Sequence, residues 1–391
     1  MVEPLPRWAR PTGCASTSSI VVTSLSDGDV DGELWAAWQA LSARAAKPNP
    51  FCHPALVIPW LEQLPRRDRR VLLAWRREAD KTPTLVGALP IVFEGLRYRL
   101  LRIVKQPEIF GAGTPPLLDA DQPSEVLNAL LEFLAQTGAV SLLLPYVQAQ
   151  GPVSDAIRRW SAGDGRSFAV LRRHDRAMFV TGTPAVEQDA KRVRRCAKLR
   201  RRLSEQGDLR FGLAETDAAI AALERFMALE AAGWKGRQRT AFAATRGGSE
   251  FLRDALALSR RGGPLQIAEL SLDGKVIASA LVLTAQRQGF YFKIAHDPAF
   301  AFWSPGILLT LALTDMWRDD PVLRTVDSLA TADHPMINRI WKDRVDICAV
   351  LLDTGRTGRW AFRLSCWFER MRERVRESTG PLRRAVRKAM A

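Results

Sequence analysis

The sequence predicts an α/β protein of two mixed-sheet domains in tandem, followed by a basic amphipathic C-terminal helix. Three observations carry this reading. Apolar runs of strand length alternate with helical patterns along the chain. Three such runs between Leu265 and Ala295 meet at tight turns and lead into a helix opened by Ser304-Pro305-Gly306. The length of 391 residues exceeds the roughly 150 of an average domain. The expected organisation is a leader at 1–19, an α/β domain at 20–180, a basic linker helix at 181–207, a second α/β domain at 208–355, and a helix with a short tail at 356–391.

The first domain opens with an amphipathic helix that carries Leu34, Trp35, Trp38 and Leu41 on one face. Asn49-Pro50-Phe51 interrupts it, because the residue before a proline is held out of the helical region. A second helix spans 54–64, and strands are predicted at 71–75, 84–93 and 98–104 from apolar and β-branched runs. Gly111 and Gly113 lie in a loop that ends at Pro116. A phosphate cradle would need a helix directly after them, and without one they read as an ordinary turn. Helix 124–135, strand 139–147, helix 153–160 and strands 168–172 and 177–181 complete the domain.

In the second domain, strand 209–214 and helices 218–233 and 249–261 precede the three-stranded meander. Residues 265–272 alternate and end at Asp273-Gly274, a pair that tolerates the positive φ of a two-residue hairpin turn. Strand 276–284 follows, then Gln288-Gly289 and strand 290–295. Ser304 stands where an N-cap belongs, and Pro305 occupies the first helical position, where its missing N–H costs nothing. That helix should run to about Trp317, with strand 325–329, helix 336–342 and strand 347–352 after it. A helix start beside strand ends presents N–H groups and the positive end of a dipole, which suits a pyrophosphate.

Composition narrows the class. Apolar residues make up 47% and charged residues 25%, the balance of a globular protein. The longest uncharged stretch, 298–314, is broken at Ser304-Pro305-Gly306 and falls short of the about 20 apolar residues of a membrane span. Residues 1–19 lack an apolar core of the secretory kind, so the expected location is the cytoplasm, with a peripheral place at the inner membrane face as the variant. Cys14, Cys52, Cys196, Cys348 and Cys366 are scattered and odd in number, which argues against structural disulfides. Neither they nor the four histidines show a metal-ligand spacing, and no metal is expected.

Two segments hold an excess equal to the whole net charge of +15. Residues 190–210 carry +7 and residues 356–391 carry +8, which points to two local basic surfaces. In the first, Val193, Cys196, Ala197, Leu199 and Leu203 fall near helical spacing. It reads either as a solvated linker helix docked by Val193, Cys196 and Leu203 or as a phosphate-binding helix. In the second, residues 359–377 place Trp360, Leu364, Trp367, Met371 and Val375 on one stripe, with Pro381 ending the helix. That stripe suits either docking on its own domain or a membrane surface.

The order β-α-α-β-β-β-α-β-α-β from residue 209 resembles the GNAT acyltransferase fold. Pro50-Phe51, Leu229-Glu230-Ala231-Ala232-Gly233-Trp234-Lys235-Gly236, Phe290-Tyr291-Phe292-Lys293-Ile294-Ala295-His296-Asp297 and Phe302-Trp303-Ser304-Pro305-Gly306-Ile307-Leu308-Leu309 are similar to the cellulose-biosynthesis CelD/BcsL branch of GNAT-like proteins. The resemblance covers roughly residues 30–355 and extends to the Fem-type transferases, which pair two GNAT-like domains. It implies acetyl-CoA as co-substrate. The backbone of Phe292, Lys293 and Ile294, on a strand splayed from its neighbour, would pair with the pantetheine arm. Ser304, Gly306 and Ile307 would form the pyrophosphate site, with the N–H groups of Gly306 and Ile307 holding the ligand. The usual family loop carries Arg or Gln, then Gly, then Gly or Ala. Here Ala301 and Ser304 replace the first two key residues, and Pro305 removes a donor.

Attack of an amine or hydroxyl on a thioester needs a base and donors for the oxyanion. Glu230, near the end of a helix that borders the acceptor groove in this fold, is one candidate base; His296, beside Asp297 at the end of the splayed strand, is another. Asp333 is the third, with a helix cap near Pro335 as its structural alternative. Lys235 would steer an anionic acceptor or compensate a helix end, and Trp234 would wall the acceptor site or join the core. Asp327 and His334, after the neighbouring strand, are placed to reach the acceptor from the opposite wall. The resemblance thus implies transfer to a small-molecule, sugar or envelope-precursor acceptor. The alternatives are Fem-like transfer from aminoacyl-tRNA, gripped by the helix at 191–202, and a non-catalytic protein of a membrane or polysaccharide-synthesis assembly.

Overall fold

The computed structural model describes residues 19–389 apart from 27, 65–67, 94, 112, 114, 164–165, 183–189, 216 and 356–357. The expected leader, except Ser19, therefore lies outside the described residues, as do Cys14 and part of the linker. In chain order the elements are β1 Ile20–Leu25, α1 Gly32–Arg44, α2 Pro54–Gln63, β2 Arg69–Arg76, β3 Thr84–Val92, α3 Gly95–Leu101, β4 Ile103–Lys105 and β5 Leu117–Leu118. There follow α4 Pro123–Gln136, β6 Ser141–Gln148, α5 Pro152–Ser161, β7 Phe168–Val180, α6 Ala190–Ser204, β8 Leu209–Leu213, α7 Ala219–Ala232, α8 Trp234–Arg237 and α9 Gly248–Ser259. The last are β9 Leu265–Leu272, β10 Lys275–Ala285, β11 Gln288–His296, α10 Pro305–Asp319, β12 Thr325–Asp327, α11 Ile337–Ile340, β13 Asp343–Asp353 and α12 Arg359–Ala389.

The chain divides into two compact units. The first comprises Met1–Glu62, Arg66–His174 and Asp346–Val386, and the second Gln63–Pro65, Asp175–Val345 and Arg387–Ala391. The chain passes between them within β7 and again within β13, so most of the last strand and nearly all of α12 count with the first unit and not with the expected second domain.

The strand order of the first unit is β1-β2-β3-β4-β6-β13-β7, with β5 on β3. Its pairs are antiparallel from β1 to β4, parallel between β4 and β6, and antiparallel between β6 and β13. Val126, Leu127, Leu130 and Leu134 of α4 and Ile157 of α5 fill one core with Leu72, Leu89, Leu142 and Leu352. Phe362 and Cys366 of α12 join Ile103, Leu143 and Leu351 in another.

Several expectations need correction. Residues 98–104 form the end of α3 and then β4, with Arg102 at φ 51° between them. Leu and Arg are good helix formers, and Tyr98 gains an edge-on contact with Phe93 at 5.2 Å. The two short strands expected at 168–181 are one strand, because the intervening arginines find acid partners: Arg173 meets Asp346 and Arg176 meets Asp327. Helix α12 continues past Pro381; a proline costs one helical hydrogen bond, and Leu382, Arg383, Arg384 and Ala385 after it are good helix formers.

In the second unit the order is β7-β12-β11-β10-β9-β8, antiparallel throughout except for β11 with β12. Asp273 and Gly274 take φ of 49° and 77°, the two positive angles a tight hairpin needs. Tyr291 packs against Trp317 of α10 and against Trp341, while Phe292 meets Phe242, which in turn meets Phe226 of α7. Helix α6 docks through Cys196 and Leu203 into the core that holds Leu308, Leu309 and Leu313. The side chain of Val193 lies outside the described residues.

Candidate functional site

The site is built where β11 and β12 part. They pair in parallel only from Gln288↔Thr325 to Phe290↔Asp327. Beyond that point no strand pairs with the β12-facing edge of Tyr291–His296 among the described residues. Asp327 explains the parting. Its carboxylate pairs with Arg176 at 2.6 Å, both side chains being buried, and accepts from the Leu329 N–H at 2.9 Å. Ser328 N–H donates to Ala177 O, so the end of β12 follows β7 and leaves β11. Leu329 then takes φ 52°, and the strand stops two residues short of its expected end.

On its other edge β11 carries a bulge. Leu281 of β10 faces Lys293 and the next residue, Val282, faces Tyr291, so Phe292 is the extra residue. A bulge leaves a residue out of the ladder and sharpens the local twist. Lys293, the next residue, is half-buried with its ammonium 5.4 Å from the Phe292 ring.

Five side chains gather along this open strand. Lys235 Nζ donates to Glu230 Oε1 at 2.9 Å and to Ile294 O at 3.1 Å. Glu230 is buried, and its second oxygen accepts from Phe242 N–H at 2.8 Å. A glycine is required one residue on: a β-carbon at Gly236 would lie 1.8 Å from Ala231 O. That close return of α8 on the end of α7 keeps Lys235 beside Glu230. Lys293 is pulled down to about 8 by burial first and by the Lys235 charge second, with Glu230 opposing. His296 is lowered by burial, opposed by Asp297, and lowered further by Lys235. His334 is lowered by burial and then by Lys235. One ammonium therefore biases three basic groups toward their neutral forms.

The start of α10 adjoins the same strand. A β-carbon on Gly306 would lie 3.4 Å from Ile294 Cδ1 and 3.7 Å from His296 Nδ1, which sets His296 at the helix start. Ser304 is not the expected side-chain cap. It takes the left-handed conformation, φ 53°, and its carbonyl accepts from Ile307 N–H at 2.9 Å. Ile307 N–H is thus engaged within the turn, and Pro305 has none. Gly306 keeps a first-turn N–H with no intrahelical acceptor. The open strand edge suits a pantetheine arm; the helix start provides a thinner anion cradle than the resemblance implies.

The remaining expected site residues separate. Asp327 is buried, with its carboxylate committed to Arg176 and the Leu329 N–H. Asp333 is exposed and caps nothing; His334 does so in its place, its Nδ1 accepting from Met336 and Ile337 N–H at 3.4 and 3.3 Å. Trp234 is 53% exposed at the start of α8, so it is no core residue. Asp297 is tied to Lys275 at 2.8 Å and caps the turn at Pro298 through Ala299 N–H. Sequence reasoning missed Arg176, an arginine in a polar strand with nothing to distinguish it, and Phe242, a lone aromatic in a loop. Among the described residues no group of three or more His, Cys, Asp or Glu is placed to hold a metal. Cys52, Cys196, Cys348 and Cys366 are buried, and none of them is in a disulfide.

Residues 190–336, which contain all five gathered side chains, match the family model for the acetyltransferase (GNAT) domain. No curated protein sequence matches the chain significantly. Among solved structures it is similar to FemX, at 9% identity over 81% of this chain and 95% of that one, with a TM-score of 0.54. A conserved protein of unknown function from Bacteroides thetaiotaomicron aligns over 82% of this chain and 97% of its own at 11% identity, TM-score 0.53. The C-terminal domain (DUF2156) of a protein assigned as a lysylphosphatidylglycerol synthetase from Agrobacterium fabrum aligns over 84% and 93% at 10% identity, TM-score 0.51. At these identities the likeness is one of fold. The second unit carries a GNAT acyltransferase-type domain. No described helix is long and apolar enough to cross a membrane.

Proposed function

We propose that the protein transfers an acyl group from acetyl-CoA to an amine or hydroxyl of a small-molecule, sugar or envelope-precursor acceptor, as in the CelD/BcsL branch it resembles. The parting of β11 from β12, with the bulge at Phe292 and the α10 start at the far end of the open strand, carries this reading. The pantetheine arm pairs with the exposed edge of β11 and the pyrophosphate lies against Gly306 and His296. The thioester then falls near Phe292 and Lys293, toward the point of parting. Ile294 O is released to the ligand when Lys235 turns aside.

The acceptor nitrogen or oxygen attacks the thioester carbon, the C–S bond breaks, and the acceptor proton passes to a base. Glu230 has both oxygens engaged and Asp333 is solvent-exposed. His296 stands at the phosphate end. Lys293, held near neutrality by burial, is the base that this geometry favours, and a lysine lowered to about 8 is matched to proton transfer near neutral pH.

Calorimetric titration of acetyl-CoA into the wild type and a Gly306→Glu variant tests the reading. Contact distances at residue 306 leave room for a side chain, so the variant should fold and place a carboxylate at the helix start. Binding by the wild type and loss in the variant is the expected outcome; a wild type that fails to bind overturns acetyl-CoA as donor.

A second reading, aminoacyl transfer from tRNA, draws on α6, which exposes Arg194, Arg195, Lys198, Arg200, Arg201 and Arg202 while Cys196 and Leu203 are buried. It requires RNA binding whose affinity falls steeply with salt.

A further inference from the structure

The apolar stripe of α12 points the opposite way from the expected docking. Trp360, Trp367 and Val375 are 71%, 59% and 56% exposed, and Leu364 and Met371 are 41% and 38% exposed. At 100° per residue the five fall within an arc of roughly 80° and span about 22 Å of helix. The opposite face holds the helix to its unit: Ala361, Phe362, Ser365, Cys366 and Glu369 are buried. Exposed apolar surface of this extent, continuous along one helix, marks an interaction site more often than an ordinary surface.

Charge selects the occupant. Arg359, Arg363, Arg370, Arg372 and Arg374 are all exposed, and Arg363, Arg370 and Arg374 border the stripe on one side. The acids of the same stretch are withheld: Glu369 is buried, and Glu373 is half-buried with Arg172 at 3.6 Å. A second copy on this face would set arginine rows against each other. A bilayer with anionic headgroups takes both parts, the tryptophans at the acyl boundary and the guanidiniums on the phosphates. We propose that α12 lies flat on an anionic phospholipid surface through Trp360, Leu364, Trp367, Met371 and Val375.

The test is co-sedimentation of the full chain with phosphatidylglycerol–phosphatidylcholine vesicles and with phosphatidylcholine alone. The wild type should pellet with the anionic vesicles and much less with the neutral ones. A Trp360→Ser/Trp367→Ser variant should bind at least about tenfold more weakly, and Arg363→Gln/Arg370→Gln/Arg374→Gln should lose the preference for anionic lipid. Because these side chains are exposed, unchanged melting temperatures should show that both variants fold; if the tryptophan variant melts early, the arginine variant decides. Failure of the wild type to bind, or variants that bind as it does, would overturn the proposal. So would a dimer seen by sedimentation velocity that the tryptophan substitutions dissolve without any vesicle binding.

Discussion

Replacing Lys293 with Met should make the protein more stable and less active at the same pH. Burial of the ammonium lowers its pKa from 10.5 to about 8. At about 1.4 kcal/mol per unit this is a folding penalty of about 3 kcal/mol. The unfolded chain binds more protons between these two values, so stability rises with pH across that window. The penalty is complete below pH 8 and gone above 10.5. Met keeps an apolar stem of similar length but loses the cation–π contact with Phe292, worth about 0.5–1 kcal/mol. The net gain at pH 7 is about 2 kcal/mol, a rise in Tm of about 4–8 °C for a unit of this size. At pH 10 the gain should shrink below about 1 kcal/mol. Thermal unfolding of both proteins by circular dichroism at pH 7 and pH 10 measures the difference. A Tm unchanged at pH 7, or a gain equal at both pH values, would refute the burial argument. Turnover reports separately on the base: loss of about 100-fold or more is expected, and a variant that turns over normally removes Lys293 from that role.

Two further outcomes follow from the same region. Asp327→Asn removes the carboxylate charge beside the buried Arg176 guanidinium and should cost about 3–5 kcal/mol by thermal or urea unfolding, most of it recovered in Arg176→Met/Asp327→Leu. A loss of activity at full stability would instead return Asp327 to the acceptor site. Lys235→Met removes the charge that His296 and His334 share, so both imidazole pKa values should rise when followed by NMR titration; titration curves that stay in place would show that the two rings do not feel Lys235.

Much of the fold is legible in the sequence because its signals are local. The alternation of 265–272, the Asp273-Gly274 turn and Pro305 at the first position of α10 each report on a few neighbouring residues, and each element stands where it is expected. The misreadings arise where a distant partner decides. The Arg172–Arg176 stretch looks like a break until Asp346 and Asp327 are brought to it. The stripe of α12 has helical spacing, but spacing is blind to which face a tertiary core will take, and Phe362 and Cys366 win that place. In the site, Glu230, Lys235, His296 and His334 are visible as chemistry, whereas Lys293 is expected only for its backbone. Their electrostatic order is not visible, since it depends on Lys235 reaching back across five residues to Glu230 and over to Ile294.

The interleaving of the two units has a consequence for synthesis. In the first unit, β13 fills the position between β6 and β7, so Leu142 of β6 waits for Leu352 of β13. While a ribosome is still translating the intervening segment, the unit that emerges first has a vacant slot in its sheet with two strand edges unpaired. Such edges invite mispairing, and contacts of this sequence separation form slowly. The segment between them can meanwhile complete nearly all of its own sheet, so the half of the molecule with the candidate site should mature ahead of the half whose synthesis began earlier. Chains truncated after residue 345 and released from the ribosome would show this as protease resistance confined to the later half.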